Sequence, residues 1–301
     1  MNDLLSVIIV SYNTKELTKQ TIRSVLVSSP GSQVIVIDNN SHDGSVEFLQ
    51  KEFGKKITCI ENRENVGFAR ANNQGINQAT GEYILLLNSD TQVLDEALKK
   101  MVLALDTHPE FGVISCELQN PDGSYQPQGG ALPTLVNVAA WWLWPFPGQM
   151  PLVKPYQNSN LVASDQSLVT VGWVAGTAMM VRREVIDAIG GLDEQIFMYA
   201  EDVEYCQRAR RADWRIGLVA GAKIEHIGSA SSSKAKATLG EVKGLLYLFK
   251  KSFPLWQLPV LRLVFAAGAL LRSVLFGILG RNEEAKALYA SILHISFGKI
   301  R

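Results

Sequence analysis

The most restrictive feature of this sequence is an unbroken apolar run at residues 83–87 that stops at Asn88-Ser89-Asp90. A strand apolar at every position must be covered on both faces, and a sheet layered between helices provides that cover. In open α/β sheets ligands gather where the strands end. Asp90, an acidic side chain just past such an end, therefore marks the expected site. Upstream, residues 62–82 carry a Gly-bearing turn, a short polar helix and a Gly break.

The same alternation runs through the first 115 residues. Apolar runs at 4–10, 34–37 and 57–60 read as strands, with a short one expected at 113–115. Helical spacing at 15–27, 45–53, 68–78 and 95–105 separates them. Four alternations with short links predict a parallel sheet with right-handed crossovers and helices on both faces. A dinucleotide-binding variant would carry G-x-G-x-x-G after its first strand. The turn here, SYNTKE at 11–16, has no glycine, so nicotinamide chemistry loses its main support. A nucleotidyltransferase would be expected to use a Gly-rich basic loop at the same place, and SYNTKE is not one.

Charge is informative through its distribution. The net charge is zero, which gives no sign of nucleic-acid binding. Residues 234–301, however, hold 11 Lys/Arg against 3 Asp/Glu. A basic tail on an acidic body suggests that the tail meets an anionic surface. Cys59, Cys116 and Cys206 are far apart and form no CxxC, which fits a reducing compartment. With no basic n-region before the first strand, the body is expected in the cytoplasm.

Past Cys116 the pattern changes. Asn120-Pro121-Asp122-Gly123 signals a turn. Residues 132–156 read as irregular and contain Trp141, Trp142 and Trp144. They suit either a loop packed on the core or a flap touching acceptor or membrane. Residues 169–181 read as strands with a Gly bend and 182–189 as a short helix. A helix is expected from the 197–204 acidic stretch to residue 212, a strand at 214–219, and Ile224-Glu225-His226 after a turn. In 255–279, Arg262 and Arg272 interrupt the apolar run and Pro254 and Pro259 break its beginning, leaving it short of the ~18 residues of a spanning helix. Helices lying in a membrane interface are expected there, with packing on the body or a homodimer contact as the alternative.

Several stretches together resemble the inverting glycosyltransferases of family 2. They are SVIIVSYN at 6–13, VIVIDNNSHDGS at 34–45, ENVGFARANNQGI at 64–76 and LLLNSDT at 85–91. GTAMMVRR at 176–183, GGLDEQIFMYAEDVEYCQRARRADW at 190–214 and the His226 region follow. GFARANNQG and MYAEDVEYCQRARRADW look most like the rhamnosyltransferase branch. The resemblance implies a GT-A fold: a Rossmann-like, mostly parallel sheet with flanking helices over residues 1–232, then a helical, membrane-associating tail at 233–301. Within the body, a nucleotide-sugar half covers about 1–115 and an acceptor half about 116–232.

It further implies roles for particular residues. Asp90 would bind a divalent cation, Mn²⁺ or Mg²⁺, with His226 as another contact. The family often has Asp-x-Asp where this chain has Asn88-Ser89-Asp90, one charge fewer. Asp202 would be the catalytic base, with Glu201 as runner-up. Ser11, Tyr12, Asp38, Asn40, Asn65, Gly67, Arg70, Asn88 and Ser89 would contact the nucleotide sugar. Trp173, Gly176 and Thr177 would face the acceptor. Each has a plainer reading: Asp90 as a cap, His226 satisfying a backbone group, Asp202 opening a helix, Asp38 in an Asx-turn, Arg70 as a solvated charge. The expected reaction moves a sugar from a dTDP- or UDP-linked donor to a glycan or lipid-linked acceptor for a bacterial surface polysaccharide. It would take place at the inner face of the cell membrane. A non-catalytic binding scaffold of the same fold is the rival.

Overall fold

β1 (Leu5–Ser11) lies inside a parallel sheet in the computed structural model, which describes residues 4–144, 167–228, 234–278 and 283–298. Val7, Ile8 and Ile9 are fully buried because the strand is covered on both faces. α1 (Lys15–Ser28) leads to β2 (Gln33–Asp38), and α2 (Ser45–Phe53) to β3 (Thr58–Glu61). α3 (Phe68–Gln78) then precedes β4 (Tyr83–Asn88). The order β3-β2-β1-β4 is parallel throughout, as the alternation predicts. β5 (Thr91–Val93) follows at once, and α4 (Ala97–Thr107) begins two residues later than expected. Asp95 takes a left-handed φ of 46°, which a helix interior does not allow.

The other half of the sheet is built differently. β6 (Phe111–Gln119) is nine residues long rather than the short strand expected. A tight turn joins it to β7 (Tyr125–Gln126), and β8 (Gly129–Gly130) follows. α5 (Leu135–Leu143), β9 (Leu168–Val171), β10 (Trp173–Val174) and β11 (Ala178–Arg182) come next. α6 (Arg183–Ile189), α7 (Glu201–Arg211) and β12 (Arg215–His226) complete the body. β11 inserts antiparallel between β4 and β6. β12 runs parallel to β6 and antiparallel to β5 and β9. The turn signal at Gly221, φ 74°, is absorbed as an irregularity between Val219 and Lys223. One strand therefore carries the chain without a break to His226.

Two compact units emerge: residues 1–130, 158–197 and 201–231 in one, and 131–157, 198–200 and 232–301 in the other. In the second, α8 (Lys234–Ser252), α9 (Gln257–Ile278) and α10 (Glu283–Phe297) pack with α5. α5 corrects the expectation of an irregular segment. Thr134 and Asn137 form a reciprocal capping box that starts it. Trp142 is 2% exposed and packs edge-on to Phe265, centroids 5.1 Å apart. Its Nε1 donates to the Phe265 carbonyl at 3.0 Å. Gly268 makes the room, since any Cβ there would collide with the Trp142 ring. Trp142 is thus a core residue; residues 145–156 of the Trp-rich stretch lie outside those described.

Arg272, expected to interrupt the apolar tail, is 5% exposed. Its guanidinium donates to the carbonyls of Trp142 and Gly268 and, at 2.8 Å, to that of Trp144. Those of Trp142 and Trp144 lie at the end of α5, where helical carbonyls lack intrahelical partners. Pro259 sits in the first turn of α9, where a missing N–H breaks no helical bond. As a result Gln257–Leu275 is long and apolar enough to cross a membrane by length and composition, contrary to expectation. Only 33% of that stretch is buried within the protein.

Candidate active site

The site forms where β1, β2 and β4 end. Leu5–Val10 pair in register with Tyr83–Asn88, and Ser6–Ser11 with Gln33–Asp38, so the following turns emerge side by side. Ser11, Thr14, Thr18 and Ser89 close this end with a buried hydroxyl cluster. Ser11 Oγ is 3.0 Å from Thr18 Oγ1, and Thr14 Oγ1 3.0 Å from Ser89 Oγ. Ser11 is fully buried and Ser89 8% exposed. Both belong to the expected nucleotide contacts; here the Thr14–Ser89 pair ties the two turns together. Tyr12 is half-buried beside them.

Asp38 ends β2 and is fully buried. Its Oδ1 accepts from Ser41 N at 2.8 Å, so the Asx-turn is present. Its Oδ2 has no hydrogen-bond partner among the described residues. A desolvated carboxylate oxygen is costly unless a donor reaches it. Asn40, with φ 69°, continues that turn. Behind it, Asn39 Nδ2 donates to Gly67 O at 3.3 Å, and Asn62 Nδ2 to Asn39 Oδ1 at 2.9 Å.

Two of the resembling stretches, far apart in sequence, are locked together here. Gly67 has φ 87°, and a Cβ on it would lie 2.6 Å from the Phe197 carbonyl oxygen. Phe68 N donates to that same carbonyl at 2.8 Å. The close approach expected of Gly67 is therefore to Phe197. Asn65 Oδ1 accepts from Gly67 N at 3.0 Å and shapes the turn. Asn73 donates to Leu192 O and accepts from Leu192 N, both at 2.8 Å. Arg70 faces solvent, 4.0 Å from Glu194, which is its plainer reading.

Asp90 and His226 meet at the end of β4. The antiparallel pairing of β5 and β12 sets His226 opposite Thr91. Ile227 N then donates to Asp90 O at 3.0 Å. Asp90 Oδ1 lies 3.3 Å from His226 Nε2, and Asn88 Nδ2 is 3.5 Å from the same nitrogen. His226 Nδ1 is 2.6 Å from Gln126 Oε1. His226 thus engages side chains, not a backbone group. Gln126 is a site residue that the sequence reading missed; its only signal was its place after the Asn120–Gly123 turn.

Asp202 reaches the same strand end by another route. Its Oδ2 accepts from Gly176 N at 3.0 Å. The next residue, Thr177, accepts at its carbonyl from Asn88 N at 2.9 Å. Gly176 is tight as well, with a Cβ there only 3.1 Å from the Phe68 ring. Asp202 Oδ1 accepts from Val203 N at 2.7 Å, within α7. Glu201 is 5% exposed and Asp202 half-buried, so Asp202 is the more accessible carboxylate. Glu204, 1% exposed, holds Arg208 at 2.9 Å through both oxygens, the i,i+4 pair expected. Trp173 is 5% exposed and lies in β10 opposite Gly130; its ring is a core element.

A divalent cation fits the residues present. Among the described residues no group of three His, Cys, Asp or Glu side chains could hold one. Asp90 and His226, 3.3 Å apart, would supply one oxygen and one nitrogen donor, and diphosphate oxygens and water would supply the rest. Imidazole suits Mn²⁺ better than Mg²⁺.

A family model described as glycosyl transferase family 2 matches residues 6–190, and one for glycosyl transferase family 21 matches 156–237. The chain is similar to an N-acetylglucosaminyl-diphospho-decaprenol L-rhamnosyltransferase of Mycobacterium tuberculosis, 26% identical over 79% of this chain and 80% of that protein. It is 29% identical to the low-salt glycan biosynthesis hexosyltransferase Agl10 of Haloferax volcanii, over 72% of this chain and 65% of the relative. The fold resembles a mannosyltransferase, PcManGT, from Pyrobaculum calidifontis, solved with GDP-Man and Mn²⁺. The TM-score is 0.58 at 17% identity, covering 98% of this chain and 81% of that one. S. aureus TarS, residues 1–349 with UDP, matches with TM-score 0.53 at 17% identity over 97% and 90% of the two chains. These solved structures bear on the fold, which is GT-A, and the family match carries the activity, glycosyl transfer: the chain belongs to glycosyl transferase family 2.

Proposed function

We propose that the protein transfers a hexose, rhamnose by likeness to the mycobacterial relative, from a nucleoside diphosphate donor to a lipid-linked glycan with inversion. One observation carries this reading: Asp90 with His226, and Asp202 through Gly176-Thr177, both converge on the end of β4 at Asn88. Asp202 takes the proton of the acceptor hydroxyl as its oxygen attacks the anomeric carbon. The new glycosidic C–O bond forms while the bond to the diphosphate oxygen breaks on the opposite face, which inverts the centre. Asp90 and His226 would hold a divalent cation that neutralises the departing diphosphate. The unpartnered Oδ2 of Asp38 is suited to a pyrimidine N3–H or a ribose hydroxyl of a dTDP or UDP donor.

The acceptor's lipid explains the tail. On α9, Val260, Leu263, Leu270 and Val274 are 39%, 61%, 58% and 51% exposed, spaced along one helical stripe, with Trp256, 63% exposed, just before the helix. That stripe, with the basic surplus of the tail, suits the inner surface of an anionic membrane.

The test is donor turnover with UDP- and dTDP-linked sugars, with and without Mn²⁺, on a lipid-linked acceptor. Metal-stimulated transfer with an inverted product is expected. Metal-independent nucleotide binding without turnover on any acceptor would instead support a scaffold. Co-flotation with anionic but not neutral vesicles tests the tail; a stable dimer that leaves vesicles alone would assign the α9 stripe to a second copy.

A further inference from the structure

Gln126 has no role in the reading above, yet it sits in a hydrogen-bond chain whose direction is determined. The chain starts at Asp122 in the exposed Asn120–Gly123 turn, where a carboxylate can only accept. Ser124 Oγ donates to Asp122 Oδ1 at 2.6 Å, and Ser124 holds that acid below its ordinary range. The Ser124 oxygen is then free to accept from Asn120 Nδ2, 2.9 Å away. That orients the Asn120 amide, whose oxygen accepts from Gln126 Nε2 at 3.0 Å. Gln126 is oriented in turn. Its Oε1 faces His226 Nδ1 at 2.6 Å and can only accept, so the proton is on Nδ1.

The backbone holds this relay in place. Asn120 N donates to Ser124 O at 2.8 Å, and Gly123, at φ 79°, donates to Asn120 O at 2.8 Å. Gln126 pairs with Leu118 across the β6–β7 hairpin. At the far end, His226 Nε2 faces Asp90 Oδ1, 3.3 Å away. Asn88 Nδ2 is 3.5 Å from the same nitrogen, and either a proton on Nε2 or a cation between Nε2 and Oδ1 satisfies the pair.

We infer that Gln126, oriented by Asn120, Ser124 and Asp122, is a positioning residue that holds His226 as its Nδ1–H tautomer and aims the Nε2 lone pair at the cation shared with Asp90. This rests on the reading that Asp90 and His226 bind that cation. A histidine that ligates a metal depends on the partner of its other nitrogen for tautomer and ring orientation.

Two measurements test it. In the metal-free protein, ¹⁵N NMR of the neutral His226 ring is expected to show the proton on Nδ1; a neutral ring with Nδ1 bare and the proton on Nε2 overturns the inference without any variant. Mn²⁺ binding in the presence of UDP, followed by electron paramagnetic resonance, is then compared across variants. Gln126→Met keeps the length of the side chain and loses the acceptor, and it is expected to weaken Mn²⁺ binding roughly 10- to 100-fold. Gln126→Glu keeps an acceptor and is expected to restore binding to near the unmodified level. If His226→Ala weakens binding while Gln126→Met does not, the inference falls and the cation site stands. If His226→Ala binds Mn²⁺ like the unmodified protein, the cation reading falls and the inference with it.

Discussion

The Asp90 carboxylate and the His226 imidazole face each other at 3.3 Å because β12 pairs antiparallel with β5, opposing His226 to Thr91. The contact depends on strand pairing between distant segments. Asp90→Asn removes the charge and keeps the shape, so the pairing should persist. Mn²⁺ binding with UDP is expected to be lost, and transfer to fall by at least about 10²-fold, as loss of metal charge stabilisation implies. Normal Mn²⁺ affinity in this variant, measured by calorimetry, would place the cation elsewhere.

Asp202→Asn should separate chemistry from binding. The amide oxygen can still accept from Gly176 N, which Asp202 holds at 3.0 Å. Turnover is expected to drop by about 10²–10⁴-fold, with donor affinity unchanged in titration. Near-normal turnover would move the base to another residue, Glu201 first.

The segment before α7 is strained. Tyr199 and Ala200 have φ of 74° and 75°, an uncommon conformation for residues with side chains. In their own unit, Gly240 and Gly244 of α8 pack on them, and a Cβ at Gly244 would collide with the Tyr199 carbonyl. Gly244→Ala is expected to shift this turn, and with it the start of α7. The effect predicted is on kcat, several-fold down, with donor Kd unchanged. An unchanged kcat would show that the turn does not bear on Asp202.

Arg272 caps carbonyls at the end of α5 from a buried position. Arg272→Met leaves them without partners, and each buried unmet carbonyl costs about 1–3 kcal/mol. A lower Tm is expected in thermal unfolding. A raised Tm would mean that burying the charge outweighs the capping.

The three thiols should be inert at neutral pH. Burial, then the Asp38 and Glu61 carboxylates, push Cys59 up to about 11, and burial raises Cys116 and Cys206 to about 12. A raised thiol pKa keeps the neutral form, and only the thiolate reacts. Alkylation of the folded protein at pH 8 is expected to be negligible and to become rapid in denaturant. Fast labelling of the native protein would contradict the burial.

The nucleotide half of the fold was legible because its signals are local. Apolar runs such as those of β1 and β4 need cover on two faces wherever they lie, and polar turns such as Asp38–Ser41 stop a strand by their own hydrogen bonds. The order of the motifs likewise brought Asp90, Asp202 and His226 into consideration. The sequence could not say whether they meet, since that depends on the β5–β12 register and on the Gly176–Asp202 contact. Nor could it show the hydroxyl brace around Ser11 and Ser89, or the pairing of Trp142, from a segment read as irregular, with Arg272 of the tail. Those outcomes belong to tertiary structure for one physical reason: a polar side chain takes the partner that folding brings within about 3 Å, and for Ser89, Trp142 and Arg272 that partner lies far along the chain.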